Sequence, residues 1–157
     1  MQKLGLNLIC LIFSMCLLPV GCGKVSRDAG EFEPLLKKFE NYYQQYNGVK
    51  MVVGNILIRR DNLTPNQLAV CRLSNEGPAI LINNAYWDKL SDETKEVVFI
   101  HESGHCFVGR LHNNNAGVDR KWESIMEQRP QELTDYSANK DAYLKELFNS
   151  KTTTPDQ

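Results

Sequence analysis

Twelve consecutive residues hold all three histidines of the chain: His101-Glu102-Ser103-Gly104-His105-Cys106-Phe107-Val108-Gly109-Arg110-Leu111-His112. His101 and His105 are four residues apart, so on an α-helix their imidazoles leave one face toward a common centre. Neutral imidazole is a good zinc ligand, and two of them on one rigid helix make a preorganised half-site. A catalytic zinc takes three protein ligands and keeps one position open. His112 is the candidate third ligand, because Gly109 can end the helix and turn the chain back toward the metal. Glu102, beside the first ligand, is placed to accept a proton from water at that open position. The competing reading is a solvated helix with incidental histidines. Against it stand the clustering of the histidines and the apolar run Val97-Val98-Phe99-Ile100, which suits a buried helix.

The stretch resembles the metzincin clan of zinc metallopeptidases, whose signature is HExxHxxGxxH followed by a methionine-containing turn. Ser124-Ile125-Met126, downstream of His112, resembles that turn. The resemblance implies that His101, His105 and His112 hold one catalytic Zn2+. It further implies that Glu102 is the general base of peptide-bond hydrolysis and that Met126 lies beneath the metal. There is one departure: the spacing here is HExxHxxxGxxH, one residue longer before the glycine. A carboxylate from the later segment, Glu123, Glu127 or Glu132, is the alternative third ligand, as in zincins with a glutamate in that place. Metzincins bind extended substrate on an edge strand that precedes the zinc helix. By resemblance this assigns Ala79, Ile80, Leu81, Ile82 and Asn83 to substrate binding by strand addition, although their side chains read equally well as a plain edge strand. Tyr136 is a candidate donor to a developing oxyanion, against ordinary packing.

The elements that must position these groups follow from the pattern around them. Glu33-Pro34 opens a helix, Leu35, Phe39, Tyr42 and Tyr46 recur at helical spacing, and Gly48 closes it. Val49 to Ile58 and Leu68 to Leu73 read as strands; the turn Asn75-Glu76-Gly77-Pro78 then leads into a third, Ala79 to Ile82, antiparallel to the second. Ser91 caps the zinc helix, Asp92 and Glu93 suit the positive end of its dipole, and the helix is expected to reach Val108. Trp122 is expected to anchor the approach to the methionine turn. A last helix, about Ala138 to Asn149, presents Tyr143, Leu144, Leu147 and Phe148 as its apolar face. The expected class is α+β: a small zincin-like domain over residues 33–150 with a mixed sheet, an HExxH helix and a C-terminal helix, then a polar tail over 151–157.

The 157-residue chain is of single-domain size, with 42% hydrophobic and 24% charged residues and a net charge of -1. No basic stripe is present, which argues against a nucleic-acid partner. Met1-Gln2-Lys3, the apolar run Leu4 to Val20 and the small residues Gly21-Cys22-Gly23 read as an export signal. Leu18-Pro19-Val20-Gly21-Cys22 resembles a bacterial lipobox, with proline where leucine is usual. That resemblance implies removal of residues 1–21, acylation of Cys22, a tether over 22–32 and a lipid-anchored envelope protein. No aspartate follows Cys22, which favours the outer membrane. Cleavage near Gly23, giving a secreted or periplasmic protein, is the alternative. Export places Cys71 and Cys106 in an oxidising compartment, where they are either bonded or two buried thiols. The expected molecule is a monomeric zinc endopeptidase acting on peptides or proteins. The alternative is an envelope lipoprotein that binds zinc without catalysis, as a metal buffer or a binding module.

Overall fold

The structure, a computed structural model, describes residues 27–114, 123–133 and 135–149. The segment read as an export signal with Cys22, Trp122 and the polar tail lie outside the described residues. Chain order is β1 (Arg27–Asp28), α1 (Glu33–Asn47), β2 (Ile56–Asp61), β3 (Ala69–Ser74), β4 (Gly77–Asn83), α2 (Asp92–Ser103), a π turn (Gly104–Val108) and α3 (Tyr136–Asn149), an α+β arrangement.

Pro34 sits in the first turn of α1, where a missing N–H costs nothing. Gly48, at φ 70°, closes the helix by donating its N–H to Gln44 C=O. Arg27 binds the carboxylates of Glu33 and Glu40 and the carbonyl of Val53, which ties β1 to α1 and to the approach to β2. The tether expected over 22–32 is therefore too long. Residues 27–32 already belong to the fold, with Ala29 and Phe32 buried. The strand expected from Val49 begins only at Ile56, because Val49 and Val52 face solvent and find no ladder partner there.

The sheet order is β1-β2-β4-β3, with β1, β2 and β4 parallel and β3 antiparallel to β4. This corrects the assignment of Ala79, Ile80, Leu81, Ile82 and Asn83 to a free substrate-binding edge. Their strand is paired on both sides, with β2 and with β3, and Ile80 and Ile82 are fully buried. Asn83 is also committed, its Nδ2 donating to Thr64 and Gln67 carbonyls and its Oδ1 accepting from Ala85 N–H. The edge belongs to β3. A tight hairpin sends the chain back between β2 and β3, so the later strand takes the inner position.

Helix α2 runs through the middle of the apolar interior. Val98 and Phe99 pack with Ile56, Ile58, Ile80 and Ile82 of the sheet. Val97 and Ile100 pack with Phe39, Met126, Leu144 and Leu147 on the side of α3. A helix apolar on two sides is held from both, which fixes the imidazoles at its C-terminal end.

Candidate metal centre

Ser91 caps α2 as expected, its Oγ accepting from Thr94 N–H at 3.1 Å, and the helix delivers His101 and His105 to one face. His101 Nδ1 lies 2.8 Å from Ile125 C=O and His105 Nδ1 lies 2.6 Å from Arg110 C=O. A carbonyl only accepts, so each Nδ1 carries the proton and each Nε2 presents a lone pair. The two Nε2 atoms are 3.0 Å apart. Lone pairs facing each other at that distance repel unless a cation lies between them. Burial holds His101 down at about 3, against the opposing hydrogen bond to Ile125, and lowers His105 as well. Both rings are therefore neutral at ordinary pH, the form a metal binds.

His112 completes the cluster. Its ring centroid lies 5.3 Å from that of His101 and 4.8 Å from that of His105, and ligand atoms of the three histidines fall within 4.8 Å of one another. His101 is buried, His105 half-buried and His112 exposed, so the cluster opens to solvent on one side. The group can hold a metal ion.

The additional residue in HExxHxxxGxxH has a structural place. The helix does not continue as α to Val108, as expected, but widens after Ser103 into a π turn over Gly104–Val108. Gly109 N–H donates to Gly104 C=O, five residues back, where an α-helix would bond four back. One wide turn takes up the one inserted residue. Gly109 then adopts φ 69°, a left-handed conformation that glycine enters without a Cβ penalty, and turns the chain back to His112.

Glu102 is nearly buried, and its Oε2 accepts from Cys71 N–H at 2.7 Å. Burial raises its carboxyl to about 7, although the hydrogen bond from Cys71 opposes this. Cys71 lies on the edge strand β3 and is bonded to Cys106, the residue after His105, with Cα atoms 5.6 Å apart. The disulfide thus joins the strand that holds Glu102 to the turn that carries a candidate ligand. Leu68 C=O accepts from Asn83 N–H, and the register pairs Val70 with Leu81 and Arg72 with Ala79. Alternation along an antiparallel ladder therefore leaves the main-chain groups of Ala69, Cys71 and Leu73 turned away from β4. They border an open cleft of about 620 Å3, lined also by His101, Glu102, His105 and His112 and by Gln128 to Gln131.

Met126 is fully buried beneath the ligand helix: a Cβ built on Gly104 would sit 2.7 Å from its Sδ. Met126 C=O accepts from Asn113 N–H at 2.8 Å, which ties the loop of His112 to the methionine turn. Of the alternative carboxylate ligands, Glu127 is buried and accepts from Arg129 N–H, Glu132 pairs with Arg129, and Glu123 is exposed. Among the described residues, the three histidines are the group placed to hold a metal. Tyr136 does not reach the cleft. It is buried and donates to Glu96 Oε1 at 3.0 Å, which corrects its candidacy as an oxyanion donor.

The groups missed in the sequence are mostly main-chain: the carbonyls of Ile125 and Arg110 and the N–H of Cys71. Backbone atoms carry no residue identity, so no motif announces them. Glu146, beside Leu147 on α3, was also missed, because a glutamate flanking an apolar stripe reads as a solvated position. Compared with known proteins, the chain matches no family model, and no curated protein sequence matches it.

Proposed function

We propose that the chain is a small zinc-dependent endopeptidase of metzincin-like design, exported and held in the bacterial envelope through Cys22. The observation that carries the hydrolase reading is the convergence of three imidazoles beside a buried carboxylate in an open cleft under an unpaired strand edge. The donor set fits zinc, since three neutral nitrogens leave a position for water, and harder cations prefer oxygen ligands. Zinc at such a site polarises a carbonyl and brings water toward a pKa of ~7.

The residues of the chain supply the rest. Glu102, the buried carboxylate beside His101, accepts the proton of the attacking water and returns it to the leaving amine. Cys71 N–H fixes the carboxylate in place. An extended peptide adds to β3 through the outward groups of Ala69, Cys71 C=O and Leu73, the role first assigned to Ala79–Asn83. Leu73 and Leu111, both largely exposed at the cleft, offer it apolar contacts.

The test is hydrolysis of a mixed peptide pool by zinc-loaded protein, with and without chelator, beside Glu102→Gln. Cleavage that chelator abolishes and that falls by about 10²–10⁴ in Glu102→Gln, with zinc retained, is expected. Zinc bound without any cleavage would sink the endopeptidase reading and leave a metal-binding protein.

A further inference from the structure

Two of the imidazoles are each aimed by one carbonyl, the buried His101 by Ile125 and the half-buried His105 by Arg110. These two carbonyls come from segments fifteen residues apart in the chain, before and after residues 115–122. Besides the bond from Asn113 N–H to Met126 C=O, the two segments are joined through one carboxylate on α3. Glu146 Oε1 pairs with the Arg110 guanidinium, and Glu146 Oε2 accepts from Ser124 Oγ at 2.6 Å. Arg110 is itself nearly buried and also donates to the carbonyls of Glu146 and Leu147, in the last turn of α3. Ser124 is fully buried, and its Oγ accepts from Met126 N–H at 3.0 Å, closing the turn that presents Ile125 C=O.

The geometry points to Glu146 as a positioning residue for the metal centre: one carboxylate that clamps the two backbone segments whose carbonyls orient His101 and His105. It touches neither ligand and acts through Arg110 and Ser124. This rests on the metal-site reading of the three histidines, and not on peptide hydrolysis. Groups behind metal ligands that fix ring orientation commonly hold ten- to a hundredfold of the affinity. A buried ion pair at this position adds fixed direction as well, since the guanidinium donates to the carboxylate and to two carbonyls at once.

The experiment is competition of full-length protein for zinc against a chromophoric chelator, read beside the thermal midpoint. The variants are Glu146→Ala, Glu146→Gln, Ser124→Ala and Leu144→Ala. Leu144 is a buried residue of the same helix whose side chain packs in the core but can make no hydrogen bond to the groups that aim the histidines, so it reports loss of packing without loss of the clamp. Glu146→Ala is expected to bind zinc about ten- to a hundredfold more weakly than wild type. Glu146→Gln, which keeps the volume and one acceptor, should recover part of that loss, and Ser124→Ala, which cuts one arm, should lose less than Glu146→Ala. Leu144→Ala should lower the midpoint and leave zinc affinity within about twofold. The inference is overturned by wild-type affinity in folded Glu146→Ala, or in both Glu146→Gln and Ser124→Ala if Glu146→Ala does not fold. A loss in Leu144→Ala equal to that in Glu146→Ala overturns it as well. Wild-type protein that takes up no zinc would overturn the metal site and this inference together, whereas zinc binding without hydrolysis would leave it standing.

Discussion

Glu96 carries its charge inside the molecule on α2, five residues before His101. Burial pushes its carboxyl up, but Lys140, Lys38 and Tyr136 bind the ionised form and hold it down at about 2, against an ordinary 4.5. The sign of the pH effect follows. Between 4.5 and 2 the unfolded chain takes up a proton at this carboxyl that the folded chain refuses. The stability due to Glu96 is complete above 4.5 and drains away as pH falls through that window. Its size is at most about 3 kcal/mol, less what solvent screens at the half-exposed Lys38. Denaturant titrations between neutral and acid pH should show wild type losing stability over this range more steeply than Glu96→Gln. Equal slopes would mean that the network contributes nothing. At the same scale, HExxH was legible because its chemistry resides in side chains. The anchoring of Glu102 by Cys71 and of the imidazoles by Ile125 and Arg110 was not, because main-chain atoms at those positions would serve equally under many residues.

At the scale of elements, the π turn over Gly104–Val108 accommodates three residues between His105 and Gly109. A wide turn holds one residue more than an α turn, so removing one residue should return the helix to regular geometry. Deletion of Val108, half-buried at the end of the turn, is therefore expected to keep one metal per chain in a titration. Loss of metal from a folded deletion variant would show that the wide turn is itself required. The cap at Ser91, the closing glycine at 48 and the apolar character of α2 were readable because each is a local preference. The interior place of β4 was not. Strand order is set by tertiary packing rather than by local preference, and the inner strand is the one whose Ile80 and Ile82 are fully buried against α2.

At the scale of the whole molecule, three segments distant in sequence meet at one end of α2. The edge strand supplies Cys71 N–H, the methionine turn supplies Ile125 C=O, and α3 supplies the Glu146 carboxylate. The sheet and α3 grip α2 from opposite sides, so the histidines sit on the best-supported part of the fold while His112 arrives from its surface. This arrangement makes His112 the candidate ligand whose removal tests the three-histidine centre most directly. The measurement is zinc content of the purified chain after metal depletion and reloading, wild type beside His112→Ala. One zinc per chain in the wild type, with a large loss of affinity in the variant, is expected. Zinc held equally well by His112→Ala would contradict the three-histidine centre, and no zinc in either would remove it.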